Sequence, residues 1–419
     1  MAGYQVFNEK NVIEYVVKLG IFNEVTSSLT CTLIKDTDSS FRISDESNTF
    51  RINDHNKSVL FTQALFAQSH LPINAEVKAN TKAKVKDKKA YLKQTDIETE
   101  RLSYLKALCP DSNFDILHHN PTLACLVLED NKDFKPLSQV ILSLPNDPLY
   151  TKMGKASAHY LARTQFYSSG FYLSAQEKHS KFIQFCSLNN KATFPLLENS
   201  YIDYICHQLA DDATSEEFKN DEILIAEVAE LKTKLESTSQ ALIHGKLEAD
   251  KILINEHQVK IIAPDTGYYG PIGYDLGTLL SHYLFNFCSS ALTLETYQRA
   301  EQLDEVIKNI REVWNGFADE FSLLMRDKTQ DQELQNETYQ ARYLRSIFLD
   351  SIGFAGCALL DKCAKAISAD NEMSLNDDSM VSKAIRYNLQ LGIILIKKRY
   401  QFVSINDVLL EAEAIIEKE

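Results

Sequence analysis

The spacing of apolar residues changes once along this chain of 419 residues, and that change constrains the fold more than any other feature. Residues 28–67 hold short runs of β-branched and aromatic residues, such as "SLTCTLIKD" and "NTFRIND", between clusters of Asp, Ser and Asn. This pattern predicts antiparallel strands joined by turns. From residue 147 onward, apolar residues recur at helical spacing over long stretches, which predicts a mostly helical region.

Each region contains an exception to its own pattern. Residues 8–20 and 95–109 have helical spacing inside the strand-rich part, and "KILINEHQVKIIAPDT" predicts two short strands inside the helical part. We therefore predict an α+β protein with a mostly β N-terminal lobe, residues 1–130. A helical C-terminal lobe, residues 131–419, is predicted to contain a central hairpin block at 241–277.

Composition narrows the class of protein and its partners. The formal net charge is −14, and an acidic chain repels nucleic acid and anionic membranes, so we expect neither as a partner. The eight cysteines form no CxxC pair and mostly lie in apolar stretches, as is typical of free thiols in a reducing compartment. The longest apolar runs fall short of the ~20 residues that span a bilayer, and no signal peptide begins the chain. These features predict a cytoplasmic location.

The central block carries the most specific motif, "ALIHGKLEADKILINEHQVKIIAPDTGYYGPIGYDLG". It resembles the catalytic block of the methylthioribose kinase family, within the wider aminoglycoside-phosphotransferase-like kinases. The segments "IGFAGC", "SVLFTQALF", "IETERL" and "LVLEDNKD" resemble other parts of that family in the same order, so the resemblance covers nearly the whole chain. It implies a two-lobed protein-kinase-like fold and, in an active member, transfer of phosphate from ATP with Mg²⁺ to a sugar hydroxyl.

The catalytic loop departs from what this resemblance implies. Phosphoryl transfer uses a carboxylate to orient the attacking hydroxyl, but the family's aspartate falls at Lys246, whose ammonium has no acceptor. The next family histidine falls at Glu248, and a Ser or Asn falls at Lys251. In the family's metal-binding motif, Ala263 replaces one carboxylate, and Asp265 is at most a weak Mg²⁺ ligand.

Other positions implied by the resemblance differ as well. Thr62 stands where the family has its phosphate-binding lysine, and no glycine occurs between Gly20 and Gly154 to form a phosphate loop. Asp361-Lys362 stands where the family has a pair of sugar-binding arginines.

Candidate residues of a remnant nucleotide cleft lie both in the hinge-like "LVLEDNKD" segment and in the central block. They are Glu129, Asp130, Lys251 and Asp265.

Because the shape-forming glycines of the motifs are retained while the chemical groups differ, we predict a catalytically degenerate member, a pseudokinase. It would act by binding or regulation and would need no cofactor. One alternative is an active kinase of the methylthioribose type that uses ATP and Mg²⁺. Another is a kinase-fold enzyme with altered chemistry at Lys246, Glu248, Lys251 and Asp265.

Two local predictions concern side chains of the central block. We predict that Lys246 pairs with Asp265, the ammonium replacing the charge of the metal; in the alternative, Lys246 points to solvent. His244 is predicted to brace the loop by hydrogen bonding. The other histidines of interest, His118, His119 and His282, are predicted to have packing or surface roles.

The partner is predicted to be another protein or a second copy of this chain, and a small molecule is an alternative. The lysine-rich residues 76–93 are predicted to be a solvated loop or, alternatively, a docking patch for an acidic partner. The acidic C-terminus "LLEAEAIIEKE" suits an exposed helical tail. Because glutamate-rich ends also serve as bacterial secretion signals, secretion into a host cell is the alternative location.

Overall fold

The structure is a computed structural model of the chain, and contacts divide it into two compact units. The described residues are 5–22, 29–34, 47–54, 57–64, 96–141, 152–186, 194–197, 200–209, 212–262, 268–293, 296–369, 375 and 379–417. The first unit comprises Met1–Phe134 and Lys260–Gly267, and the second comprises Lys135–Val259 and Tyr268–Glu419. Residues 260–262, which the sequence groups with the C-terminal lobe, thus cluster with the first unit.

The first unit is built on an antiparallel sheet of five strands in the order β1-β2-β3-β5-β4. Its elements are α1 (Glu9–Lys18), β1 (Thr30–Ile34), β2 (Ser47–Asn53), β3 (Ser58–Ala64), a helix α2 over residues 96–108, β4 (Ile116–Asn120) and β5 (Cys125–Glu129). The predicted strand-rich region with a helix at each predicted place is therefore confirmed.

Local signals explain where these elements begin and end. Asn8 caps α1 by accepting the backbone N–H of Asn11, and Gly20 follows the helix with φ of +70°, a conformation that glycine adopts without strain. Between β4 and β5, the Asn120 side chain accepts the N–H groups of Thr122 and Leu123 and so closes the turn.

The second unit is mostly helical. Its elements are β6 (Lys135–Pro136), α3 (Leu137–Val140), α4 (Met153–Tyr167), α5 (Ala175–Cys186), α6 (Tyr201–Leu209), α7 (Asp212–Asn220), α8 (Glu222–Ser237), β7 (Ala241–Ile243), β8 (Ile252–Ile254), β9 (Val259–Ile261), which crosses the boundary along the chain, β10 (Tyr268–Gly270), α9 (Gly273–Thr293), α10 (Thr296–Lys328), α11 (Glu337–Ala369), α12 (Met380–Lys397) and α13 (Ile405–Glu417).

Helix α11 is the central helix of this unit and packs against α9 and α12. A Cβ atom on Gly277 of α9 would lie 2.6 Å from the carbonyl oxygen of Ser351 in α11, so only glycine permits this close approach. Of the helices that the structure describes, α11 alone is long and apolar enough to cross a membrane. Because 67% of its apolar window is buried inside the fold, it has the character of a core helix.

Short strands flank the loop that carries the central motif. β7 pairs antiparallel with β10, and β8 pairs antiparallel with β6. Between β8 and β9, the Asn255 side chain accepts the N–H groups of His257 and Gln258 and closes a tight turn. The two strands predicted within "KILINEHQVKIIAPDT" are thus confirmed.

Candidate functional site

The loop after β7 is held by one buried carboxylate. Asp275, in the first turn of α9, is 1% exposed. Its two oxygens accept the backbone N–H groups of His244, at 2.6 Å, and Gly245, at 2.8 Å. The side chain of Gln165, from α4, donates to the same carboxylate at 3.3 Å. Burial raises the pKa of Asp275 to about 6, and the two backbone donors oppose that shift.

Gly245 allows the chain to turn at this point. Its φ is +76°, in the left-handed region, and a Cβ atom here would lie 3.3 Å from the ring of Phe194. Together with Asp275, this glycine fixes the direction in which the chain leaves β7. The residues that follow are therefore presented by a rigid turn.

Lys246 follows this turn and is exposed. Its backbone N–H donates to Nδ1 of the buried His244 at 3.3 Å, which confirms that His244 braces the loop. An exposed Lys246 agrees with the alternative prediction, in which this side chain points to solvent. Asp265 lies outside the described residues, so its pairing with Lys246 stays a prediction.

The rest of the loop is folded tightly on itself. The Glu248 N–H donates to the Lys246 carbonyl at 2.9 Å, and the Lys251 N–H donates to the Glu248 carbonyl at 2.9 Å. The side chains of Glu248 and Lys251 are half-buried, and Asp250 accepts a hydrogen bond from Ser138. Lys246, Glu248 and Lys251 therefore project from one short, ordered loop.

His282 and Lys362, for which the sequence predicts no contact with each other, lie close together beside this loop. Nε2 of His282, from α9, accepts the N–H of Ala249 at 3.2 Å and lies 3.1 Å from Nζ of Lys362, from α11. His282 was predicted to have only a packing or surface role, and these polar contacts were not predicted. No local signal joins residues that are 80 positions apart. The close packing of α9 on α11 brings them together, and Gly277 is the sequence feature that points to it.

Thr62 occupies the position of the expected phosphate-binding lysine on the first unit's sheet. It lies in β3 between β2 and β5, is 1% exposed, and accepts a hydrogen bond from Thr49 Oγ1 at 3.2 Å. A neutral hydroxyl pair therefore stands in that position. The nearby Lys57 instead donates to the carbonyl of Ile21 at 2.8 Å.

Two of the three carboxylates proposed for the remnant cleft, Glu129 and Asp130, form ion pairs inside the first unit. Glu129 contacts Lys260 Nζ at 2.5 Å. The 2% exposed side chain of Asp130 contacts Arg51 at 2.8 Å and Ser58 at 2.5 Å. Both carboxylates thus support the end of β5 and its neighbours.

A metal site is not assembled by the residues that the structure describes, which contain no group of three His, Cys, Asp or Glu side chains suited to hold an ion. Ala263, Asp265 and the lysine-rich residues 76–93 lie outside those residues. The role of Asp265 as a metal ligand therefore stays a prediction.

Comparisons with known proteins identify relatives of this chain. No model of a known protein family matches it. It is 30% identical over 312 residues to a protein named methylthioribose kinase from Yersinia pseudotuberculosis, covering 73% of this chain and 75% of that protein. It is 30% identical over 326 residues to the protein of that name from Yersinia enterocolitica, covering 76% and 80%. Among solved structures, choline kinase from Cryptosporidium parvum matches with a TM-score of 0.44 and 11% identity, over 97% and 99% of the two chains.

These relatives overturn one prediction. The expectation that the chain needs no cofactor is wrong, because its relatives are named kinases, and kinases transfer phosphate from a nucleotide that binds with Mg²⁺. That expectation was drawn from the substitutions at Lys246 and Thr62. These substitutions change individual contacts but leave the backbone of the loop in place.

The predicted fold and family are both supported. The β-sheet N-terminal region and the mostly helical C-terminal region are those of the protein-kinase-like fold. The relatives carry the same name as the family that the central block resembles, and this chain covers at least three quarters of their length. With 30% identity over that length, the chain belongs to the methylthioribose kinase family.

Proposed function

We propose that this protein is a kinase-fold enzyme that binds ATP with Mg²⁺ and phosphorylates a small sugar of the methylthioribose type, with chemistry adapted to Lys246. The observation that carries the proposal is the anchored loop. Asp275 accepts the consecutive N–H groups of His244 and Gly245 in a chain related to kinases. A loop held this rigidly suits the positioning that phosphoryl transfer requires.

The absence of an aspartate at Lys246 is compatible with transfer. General-base catalysis contributes roughly 10²–10⁴-fold, whereas the reaction depends mostly on positioning and on stabilisation of charge. An exposed ammonium on a rigid loop can attract the negative oxygens of a transferring phosphoryl group. Asp265 is the candidate Mg²⁺ ligand under this proposal, and ATP supplies the phosphoryl group.

A second candidate is a pseudokinase that binds the same ligands without transferring phosphate. The substitution of Lys246 for a proton-accepting carboxylate favours it, and so does the neutral Thr49–Thr62 pair in place of an ammonium. In that case ligand binding would serve regulation, with a protein partner or a second copy of the chain responding to it.

The test is a phosphotransfer assay with ATP, Mg²⁺ and methylthioribose, in which the phosphorylated sugar is detected by mass spectrometry. Product formed by the wild-type chain, above that of a reaction without protein, supports the enzyme. Binding of ATP with Mg²⁺ but no product supports the pseudokinase. If the chain neither binds ATP with Mg²⁺ nor forms product, both candidates are contradicted.

The matched variant is Lys246→Asp, which restores the family's carboxylate at an exposed position. If the chain binds without transfer, this variant should gain product formation, because the one missing proton acceptor is returned to the anchored loop. Lys155→Asp, at an exposed position of α4, controls for the change of charge. We retain the cytoplasmic location as part of the proposal, with secretion into a host cell as its alternative.

A further inference from the structure

The loop after β7 is anchored twice by helix α9. Asp275 holds the first half of the loop through the N–H groups of His244 and Gly245. Nε2 of His282 accepts the N–H of Ala249, in the second half, at 3.2 Å. Asp275 and His282 lie about two helical turns apart along the sequence, so both are on the same face of α9. One face of a single helix therefore fixes both ends of this short stretch of loop.

The residues between the two anchors alternate between core and surface. The side chain of Leu247 is fully buried, whereas Lys246 is exposed and Glu248 is half-buried. The N–H of Glu248 donates to the carbonyl of Lys246 at 2.9 Å and closes the loop between them. The two anchors and the buried leucine therefore fix the direction in which Lys246 and Glu248 leave the loop.

Lys362, from α11, completes the second anchor. Its Nζ lies 3.1 Å from Nε2 of His282, and a lysine ammonium can only donate to that nitrogen. Burial and the cations of Lys362 and Lys365 lower the pKa of His282 well below its usual value, so the ring is neutral and Nε2 can accept. Helix α11 is therefore connected to the loop through a neutral histidine.

We propose that His282 is a positioning residue for phosphoryl transfer and that Lys362 acts through it. The inference rests on the proposed function, because the second anchor would hold Lys246 and Glu248 in place during transfer. Transfer depends mostly on positioning, and a displacement of about 1 Å can cost about 100-fold in rate. Loss of the hydrogen bond to Ala249 should therefore slow the chemical step and leave the binding of ATP nearly unchanged.

The experiment measures kcat and KM for transfer of phosphate from ATP to methylthioribose by His282→Leu and His282→Gln. Leucine removes the acceptor, so kcat should fall about 10- to 100-fold, while KM for ATP stays within about twofold of the wild-type value. Glutamine offers a side-chain oxygen as acceptor and should recover most of kcat.

His159→Leu is the matched control, since it removes a partly exposed histidine that contacts Glu320 at 2.8 Å between α4 and α10. It should leave kcat unchanged. A kcat for His282→Leu equal to that of His159→Leu would overturn the proposal. If His282→Leu does not fold, as judged by its melting temperature, Lys362→Met decides in its place, and a wild-type kcat for that variant would overturn the proposal.

A double-mutant cycle tests whether Lys362 acts through His282. Lys362→Met should lower kcat by less than His282→Leu does, since the N–H of Ala249 keeps its acceptor. The two changes together should lower kcat no further than His282→Leu alone, because Lys362 then has no ring nitrogen to contact. Losses in kcat that multiply in the double variant would contradict the role of Lys362 through His282.

Hydrogen exchange distinguishes a failure of this inference from a failure of the proposed function. Because His282 accepts the N–H of Ala249, the peptide of residues 246–251 should exchange at least about fivefold faster in His282→Leu, and near the wild-type rate in His282→Gln. Unchanged exchange in His282→Leu would overturn the second anchor even in an active enzyme. A wild-type chain that forms no product would contradict the proposed function and the positioning role with it, whereas the exchange rates would still show whether the anchor exists.

Discussion

At the scale of single residues, Asp275 makes the unfolding free energy depend on pH. Burial raises its native pKa to about 6, above the ~3.9 of an unfolded aspartate, so the native state binds more protons between these values. Its contribution to stability is fully present below about pH 4 and is lost as pH rises through about 6. A shift of about two pKa units corresponds to about 3 kcal/mol.

Asp275→Asn tests this dependence, because asparagine retains an acceptor oxygen but does not titrate. Between pH 7 and pH 5 we expect the wild type to gain about 1–1.5 kcal/mol of unfolding free energy relative to the variant, as measured by urea denaturation. Asp304→Asn, at an exposed position of α10, should show no such change. A wild type that loses stability relative to Asp275→Asn at the lower pH would mean that the two N–H donors outweigh burial.

The loop after β7 needs a glycine at position 245, because the backbone there has a positive φ. Gly245→Ala should destabilise the protein by about 1–2 kcal/mol, because φ is +76° and the new Cβ would press on Phe194 at 3.3 Å. Gly170→Ala is the control, since nothing lies within 4 Å of a Cβ atom there. Equal urea midpoints for the two variants would show that the loop adjusts without strain.

At the scale of elements, a buried arginine ties the chain after α12 to helix α8. The side chain of Arg399 is fully buried, with Nε 2.6 Å from Glu227 and Nη2 2.7 Å from Glu230. Its guanidinium also lies over the ring of Tyr400, 4.5 Å from the centroid. Because a lysine lacks the planar fork, this site depends on arginine itself.

Arg399→Met should therefore destabilise the protein by about 2–4 kcal/mol, since it leaves the carboxylate of Glu227 without its partner in a largely buried place. Arg399→Lys should recover only part of that loss. Arg326→Met, which removes an exposed pair with Asp327, should change stability by no more than about 0.5 kcal/mol. Urea denaturation measures all three. A loss for Arg399→Met as small as that for Arg326→Met would show that the buried network contributes little.

The elements were more predictable from the sequence than the contacts between them. The strand and helix patterns, and turn residues such as Asn120 and Asn255, depend only on residues that are close together in the sequence. The elements predicted from them are confirmed. The contact of His282 with Lys362 depends on how α9 packs on α11, and neither side chain carries a local signal of that distant partner. Single substitutions, as at Lys246, indicated lost groups but could not show that Asp275 still anchors the loop.

At the scale of the whole molecule, nucleotide binding should stabilise the native state of a chain that belongs to a kinase family. A ligand that binds only the folded state at about 100 times its Kd raises the unfolding free energy by about 2.7 kcal/mol. We expect ATP with Mg²⁺ to raise the melting temperature accordingly in a thermal-shift measurement.

Removal of the metal shows whether the predicted stabilisation by ATP depends on Mg²⁺. If ATP binds together with Mg²⁺, as it does in kinases, chelation of the metal with EDTA should remove most of the rise in melting temperature that ATP produces. Mg²⁺ alone should give little change in the melting temperature, since few carboxylates remain at the positions where the family binds metal. A melting temperature that ATP leaves unchanged, with and without Mg²⁺, would contradict nucleotide binding and with it both proposed functions.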